Sequence, residues 1–360
     1  MVNEKTTLAK VAHAAGVSLS TASLAFSGNG PISQHTKAKV LGIAKDLGYR
    51  GPDPLGRQLR SGKTGIVGVV LGNHLEGSFQ NPVSIQIIDG LSTALGAAGI
   101  GVLLIPGPAN DTPHVVAPLI MNAGMDLAVM IWGTTEDDPS FQALRQRNLP
   151  VVVGEGDDIA GASLVAIDDR NGTRQLAEHL QSLGHKRFAL IALPFFPGSR
   201  GGKFDFAGLS AESIAWTPPR ARIQGLQDAA VVPQIALESA NSGFQEGKEL
   251  THQILDAYPD ATSRPTAIVA QSDLMAAGAV LAVKERGLRV PQDISVVGFD
   301  GIELPILAPE KLTTVRQPLA EKGALIGEVV LDVLAGNPVR KEIVKLEFIA
   351  GSTTGPAKLT

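Results

Sequence analysis

The sequence predicts a small all-α head followed by a larger α/β body. Charge is uneven along the 360 residues: residues 1–63 carry nine Lys and Arg against three acids, a net +6, and the remainder carries −10. In the head, apolar residues recur at helical spacing, whereas from Thr64 onward short β-branched runs alternate with helical segments. A chain of this length exceeds one ordinary hydrophobic core, so several domains are expected.

The composition excludes several classes of protein and site. Cysteine is absent, which rules out disulfides and thiolate metal sites and is compatible with a reducing cytoplasm. The N-terminus has no apolar run and nowhere are about 18 apolar residues contiguous, so a cytoplasmic location is expected. There is no P-loop, no G-x-S-x-G and no HExxH, and the seven histidines are not at metal-ligand spacing. No enzyme activity, cofactor or metal is therefore expected.

The head is predicted to contain a helix-turn-helix. Thr7 is expected to cap a first helix with an apolar face over residues 8–15, and Gly16 supplies the turn because a positive φ is expected there. Ser18 caps the second helix, and a third is predicted over residues 33–48. Such a unit places its second helix in the DNA major groove, where clustered cations suit the phosphates. From pattern alone, a structural helix bundle with a solvated basic surface remains the alternative.

The head resembles the DNA-binding head of the lactose-repressor/galactose-repressor family over residues 7–49, TLAKVAHAAGVSLSTASLAFSGNGPISQHTKAKVLGIAKDLGY. The match continues through residues 51–60, GPDPLGRQLR, which resemble the hinge helix of that family. The resemblance implies a homodimeric, or tetrameric, transcription regulator that binds double-stranded operator DNA and answers to a small-molecule effector. It divides this part into a DNA-binding domain of residues 1–50 and a hinge of residues 51–63.

The resemblance also implies which side chains contact DNA. In the second helix, Leu19, Ser20 and Thr21 are expected to read base edges, and in the hinge Leu59 is expected to wedge into the minor groove. For Leu59, packing against the neighbouring domain is the alternative. Leu24 stands where the family commonly has Arg, so only an apolar contact is open to it. The full expected set is Thr7, Ser18, Leu19, Ser20, Thr21, Ser23, Leu24, Arg57, Leu59 and Arg60, the two arginines on phosphates.

The body is predicted to contain parallel strands covered by helices on both faces, since near-continuous apolar runs alternate with helical segments. The predicted strands are residues 66–71, 102–105, 127–131, 151–153, 164–167, 188–193, 267–270 and 294–298. The predicted helices are residues 83–98, 141–147, 170–183, 220–229, 243–255 and 273–286. Residues 194–219, rich in Pro and Gly, are interpreted as a long rim loop.

The same family resemblance continues into the body through residues 168–172 (DDRNG), 179–187 (HLQSLGHKR) and 265–318. It implies a periplasmic-binding-protein-like core, residues 64–360, that binds ligand and dimerises through two Rossmann-like subdomains. The first subdomain is expected to comprise residues 64–166 plus 300–317, and the second residues 167–299 plus 318–360. A ligand cleft is expected between them.

The ligand-contacting residues implied by the resemblance converge on that cleft. Arg222 is expected to grip ligand hydroxyls with its planar guanidinium, and Asp300 to accept from adjacent hydroxyls. Ser272 stands where the family often has Asn and reaches less far. A buried Arg–Asp pair can also be purely structural, and Trp132 can be a core tryptophan. The expected set is Phe79, Asn81, Trp132, Arg222, Ser272, Asp300 and Gln317.

The interpretation is a DNA-binding transcription regulator, expected to be a repressor controlled by a small polar effector such as a sugar or a related metabolite. Whether the effector releases the regulator from DNA or acts as a corepressor stays open. A solute-binding receptor of a sugar transporter shares the body's fold and is the alternative, but it needs an export signal and no basic head. A ligand-processing enzyme is a third possibility, but the sequence lacks the set of catalytic residues that it would need.

Overall fold

The structure is a computed structural model that describes residues 6–27, 30–51, 62–72, 75–107, 116–132, 134–196 and 198–358. The chain divides into two compact units, residues 1–64 and residues 65–360. Of the helices described, none has both the length and the apolar character needed to cross a membrane.

The first unit contains three short helices, α1 (Leu8–Ala15), α2 (Leu19–Ser27) and α3 (Gln34–Asp46). Thr7 Oγ1 accepts from the Lys10 amide at 3.4 Å, and Ser18 Oγ accepts from the Thr21 amide at 3.1 Å, so both predicted N-caps form. Gly16 ends α1 at φ 66°, the left-handed conformation that glycine adopts without strain. Small apolar residues on the three helices form one buried core: Val11, Ala12, Ala15, Ala22, Ala25, Val40 and Ala44.

The second unit contains a first sheet whose described strands run in the order β12-β5-β4-β3-β1-β2, all parallel. These strands are β1 (Ile66–Val70), β2 (Gly101–Ile105), β3 (Leu127–Met130), β4 (Val151–Val153), β5 (Ser163–Ile167) and β12 (Lys341–Val344). The helices between β1 and β4 are α4 (Leu75–Gln80), α5 (Pro82–Ala97), α6 (Val116–Asn122) and α7 (Pro139–Gln146). Apolar clusters pack on both faces of this sheet.

A second sheet has the order β10-β9-β6-β8-β7, parallel except for the antiparallel edge strand β7. Its strands are β6 (Phe188–Ala192), β7 (Gly202–Phe204), β8 (Ile235–Glu238), β9 (Ala267–Ala270) and β10 (Ser295–Val297). Its helices are α8 (Asp169–Ser182), α9 (Thr217–Asp228), α10 (Phe244–Ala257) and α11 (Asp273–Glu285). Strand β7 lies within residues 194–219, so the segment interpreted as a loop contributes an edge strand.

The expected assignment of the C-terminal residues to the two subdomains was wrong. Residues 300–317 stay with the second subdomain, because the Gly298 amide donates to Thr313 O at 3.0 Å and Val315 packs in the apolar core of the second sheet. There β11 (Thr314–Arg316) pairs with β13 (Glu347–Ile349) in a separate two-stranded sheet. After Gln317 the chain enters the first subdomain through α12 (Leu319–Leu334), which packs on α5. Strand β12 then joins β5, so residues 319–344 belong to the first subdomain. The apolar face of α12 drives this placement.

Candidate functional site

The exposed residues of α2 form the candidate DNA-reading surface of the head. Leu19 is 55% exposed and Ser20 is also exposed, so their side chains are free to meet a base edge. Ser18 Oγ lies 2.8 Å from both Ser20 Oγ and Thr21 Oγ1, which links the three hydroxyls at the start of the helix. Thr21 and Ser23 are partly buried.

Leu24 is also partly buried. A Cβ added at Gly30 would lie 2.7 Å from Leu24 Cδ2, so the leucine side chain packs directly on this glycine. The position that commonly carries a long basic side chain in the family is therefore occupied here by a packed apolar one. The hinge residues Arg57, Leu59 and Arg60 lie outside the described residues.

The two sheets of the body share one topology, and it identifies where a ligand site is expected. In the first sheet β1 lies between β2 and β3, and in the second sheet β6 lies between β8 and β9. The strand order therefore reverses beside β1 and beside β6, and ligands of such sheets bind outside the carboxyl ends of the strands at these switch points. Gln271 follows β9 and Leu193 follows β6, directly at the second switch point.

Arg222 on α9 is the centre of a buried polar cluster at this edge. Its Nε donates to Asp169 Oδ1 at 2.7 Å, its Nη1 donates to Gln271 O, and its Nη2 lies 3.9 Å from Asp300 Oδ1. The guanidinium carbon stands 3.7 Å from the centroid of the Phe299 ring. Arg222 and Asp300 are both buried, 5% and 6% exposed. The predicted pair thus exists, held by groups that fix the arginine's plane.

Three carboxylates share this one arginine. Asp273 accepts from the Gly301 and Ile302 amides at 2.7 and 2.9 Å and from Thr314 Oγ1 at 2.6 Å. Burial raises the pKa of Asp300 to about 8 and that of Asp273 to about 6; Arg222 opposes both shifts. Burial also raises the pKa of Asp169. The cluster therefore has more carboxyl groups than one cation neutralises, and it retains protons near neutral pH.

Asp300 is held in an unusual backbone conformation. Its φ is 136°, a region that non-glycine residues rarely occupy, and such strain costs about 1–3 kcal/mol. Hydrogen bonds hold it there: its amide donates to Val315 O and its carbonyl accepts from the Gln317 amide, both at 2.9 Å. Gln317 Nε2 also donates to Asp300 Oδ1 at 2.8 Å. Strain retained at a buried polar cluster is typical of functional sites.

Two atoms of the cluster lack partners among the described residues, Gln271 Nε2 and Gln317 Oε1. Both side chains are buried, 2% and 4% exposed. A buried polar group left unpaired costs about 1–3 kcal/mol, and native structures rarely keep one without reason. These two groups are open to a ligand or to an ordered water.

The other residues expected to contact the ligand lie outside the Arg222 cluster or cap a helix. Ser272 caps α11, since its Oγ accepts from the Met275 amide and donates to Ser242 O, both at 3.2 Å. Asn81 caps α5 by accepting from the Val83 amide at 3.0 Å, and Phe79 is 50% exposed. Trp132 follows β3 and packs on the first-sheet core beside Gly72, at the first switch point. The structure therefore joins Arg222, Asp300 and Gln317, whereas Phe79, Asn81 and Trp132 lie in the first subdomain.

Sequence reasoning did not single out Asp169, Asp273, Gln271 or Phe299. Asp169 and Asp273 each stand at the first residue of a helix that follows a strand of a parallel sheet. A polar residue directly after a buried strand is the pattern that could have identified Asp273 and Gln271, because the carboxyl ends of parallel strands meet at one edge.

Comparison with known proteins gives a family match for each of the two units. Residues 7–51 match the family described as bacterial regulatory proteins, lacI family, and residues 177–354 match the periplasmic binding protein-like domain. An HTH-type transcriptional regulator of Mycolicibacterium smegmatis is 31% identical, over 98% of this chain and 97% of the relative. The lac repressor dimer bound to operator and an anti-inducer has TM-score 0.78 at 24% identity, covering 98% of this chain and all of that one. The transcriptional regulator CelR in complex with cellobiose has TM-score 0.66 at 24% identity, covering 97% of this chain and all of that one.

The helical head and the two-sheet body define a helix-turn-helix transcription regulator with a periplasmic-binding-protein-like ligand-binding core. The chain belongs to the LacI family of bacterial regulatory proteins.

Proposed function

We propose that this LacI-family member is a homodimeric repressor that binds a pseudopalindromic operator and is controlled by a sugar or a related polar metabolite. The observation that carries the effector part is the Arg222 cluster at the carboxyl edge of the second sheet: a buried arginine with three carboxyl groups, one of them on the strained Asp300. Such a site binds hydroxyl groups through its fixed donors and acceptors. The two relatives of similar fold support the proposal, one solved on operator and one with cellobiose.

On the DNA side, Leu19, Ser20 and Thr21 read base edges, and Thr7, Ser18 and Ser23 contact the backbone. Leu24 contributes an apolar contact at most. In the hinge, Leu59 enters the minor groove, and Arg57 and Arg60 contact phosphates. Because α2 carries no charged residue, much of the sequence preference falls on the hinge and on DNA shape.

Control follows from a shift in the population of two arrangements of the body. An effector at Arg222 contacts side chains of the second subdomain and, through Gln317, the segment that leads into α12 of the first. An effector that prefers one arrangement of the subdomains changes the spacing of the two hinges in the dimer, and with it the affinity for DNA. Both signs of this coupling, induction and corepression, fit the same geometry.

The test is fluorescence anisotropy of the full chain on DNA from upstream of its own gene, at several salt concentrations, with and without glucose, ribose and cellobiose. The expected result is a segment bound at least a hundredfold more tightly than random duplex at moderate salt, with an affinity that one sugar changes. Equal affinity for all duplexes would contradict the regulator proposal. Specific binding that no small polar metabolite alters would contradict only the effector part.

A further inference from the structure

The Gln271 side chain occupies a defined place at the second switch point. Its Oε1 accepts from the Leu193 amide at 2.9 Å, which joins the ends of β9 and β6, and its main-chain carbonyl accepts from Arg222 Nη1. Because the Leu193 amide can only donate, the orientation of the Gln271 amide is fixed and its Nε2 is the remaining group. Among the described residues no acceptor meets this Nε2, and the side chain is 2% exposed.

The neighbouring charges restrict what can meet that donor. Asp169 and Asp300 lie beside the single guanidinium of Arg222, and Asp273 interacts with it electrostatically, so carboxyl groups already outnumber cations where a phosphate or carboxylate group would bind. This excess disfavours an anionic ligand. The carboxyl oxygens of the cluster are acceptors for hydroxyl hydrogens. Gln317 Oε1 is a further acceptor, and no donor among the described residues meets it. A hydroxyl group is both a donor and an acceptor, so it suits a site that offers an amide donor and carboxyl acceptors. The ligand chemistry that fits is an uncharged polyhydroxyl compound.

We propose that Gln271 is a specificity-determining residue, whose Nε2 donates to a hydroxyl oxygen of an uncharged sugar or polyol while the acidic cluster excludes phosphorylated and carboxylated analogues. This inference rests on the proposed function of the Arg222 cluster as the effector site.

The first experiment is calorimetry of the full chain with matched probes: glucose against glucose 6-phosphate, ribose against ribose 5-phosphate, and cellobiose against cellobionic acid. At least one neutral probe is expected to bind at least tenfold more tightly than its anionic partner. Tighter binding of an anionic partner would overturn the inference and leave the effector site in place. If all six probes fail to bind while specific DNA binding persists, the sugar-effector proposal itself is overturned.

The second experiment uses the neutral probe that binds best. Gln271→Glu keeps the acceptor for the Leu193 amide and replaces the donor, so probe affinity is expected to fall at least tenfold while DNA affinity stays unchanged. Because the new carboxyl group is buried, the melting temperature is expected to fall as well. Gln245→Glu is the matched control, because Gln245 lies exposed on α10. Should Gln271→Glu fail to fold, Gln271→Met removes the donor together with the acceptor of the Leu193 amide, and unchanged probe affinity in the folded Gln271→Met protein contradicts the inference equally. Unchanged probe affinity in the folded variant would overturn the inference, as would equal losses of probe and DNA affinity.

Discussion

At the scale of single residues, Asp300 is constrained both in its backbone and in its side chain. Its backbone is strained, its carboxyl group is buried beside Arg222, and Gln317 donates to it. A carboxyl group kept in such surroundings is protonated over much of the neutral range, because burial disfavours its charge. Proton uptake and stability of the body are therefore linked through this residue.

The first prediction concerns that linkage. The pKa of Asp300 rises from an ordinary value of 3.8 to about 8, so the folded state binds its proton more tightly than the unfolded state. The resulting stabilisation is complete below the unfolded pKa and is lost as pH rises through about 8, at a slope of up to about 1.4 kcal/mol per pH unit. Urea unfolding between pH 5 and 9 is expected to show this loss in the wild type and less of it in Asp300→Asn. Parallel pH profiles for the two proteins would contradict it.

The second prediction separates two leucines of α2. Leu19 is 55% exposed, so Leu19→Ala is expected to leave the free energy of unfolding within about 0.5 kcal/mol. It should weaken binding to the preferred operator about five- to tenfold, as loss of an apolar base contact does. Leu24 packs on Gly30, so Leu24→Ala should lower the melting temperature of the head and affect DNA affinity less. Anisotropy and thermal denaturation check both, and the reverse ranking would count against Leu19 as a base reader.

At the scale of elements, the sequence predicted eight strands, including the edge strands β2 and β10, and missed the interior strand β8 together with β7, β11, β12 and β13. Strands β1 and β6 are continuous apolar runs, IVGVV and FALIA, whereas β7 reads GKF and β12 reads KEIV with alternate residues exposed. A short edge strand gains its stability from its partner's backbone, which no local pattern reveals. The long helix α12 was also not predicted. Residues 319–344 were assigned to the second subdomain on the crossovers that the family resemblance implied, and that assignment was wrong.

For the candidate site too, the sequence identified only some of the residues that the structure brings together. The family resemblance supplied Arg222, Asp300 and Gln317, which the structure brings together. Asp169, Asp273 and Gln271 were not singled out, because many polar residues follow strands in this chain. Only the strand order tells which of them share a switch point. Ser272 and Asn81 cap helices, a role that their types predict as readily as ligand binding.

Helix α12 forms a buried ion pair with the loop after β4, and the third prediction concerns this pair. Lys322 is fully buried and pairs with Glu155, which follows β4 and is 3% exposed. Burial lowers the pKa of Lys322. Removing one partner leaves an uncompensated buried charge, so Lys322→Met and Glu155→Leu are each expected to cost about 3–5 kcal/mol.

The double variant Lys322→Met with Glu155→Leu should be more stable than either single variant, since hydrophobic groups replace buried pairs well. The matched control is Lys341→Met, which breaks the exposed pair with Asp158 and should change stability little. Urea unfolding of the four variants measures these differences. Additive losses in the double variant would show that the two side chains do not act as a pair.

At the scale of the whole molecule, Asp157 makes a contact between the two subdomains of the second unit. Asp157 lies in the loop after β4, where its amide donates to Thr134 O at 2.8 Å. Its carboxylate accepts from Thr217 Oγ1 at 2.9 Å and pairs with Arg220, both on α9 of the second subdomain. Because α9 also carries Arg222, this contact connects the first subdomain to the helix that carries the central residue of the proposed effector site. Asp158, the next residue, pairs with Lys341 inside the first subdomain.

The last prediction tests whether the relative position of the subdomains controls DNA binding. The chain has no cysteine, so Asp157→Cys with Thr217→Cys introduces the only thiols, at side chains whose polar atoms are in contact. Oxidation is expected to join them and fix the subdomains, after which the sugar that binds best should no longer change the affinity for operator. Reduction should restore the response, and Asp158→Cys with Thr217→Cys should respond in both redox states. An oxidised, fully cross-linked protein whose operator affinity still follows the sugar would show that the signal reaches the head without movement between the subdomains.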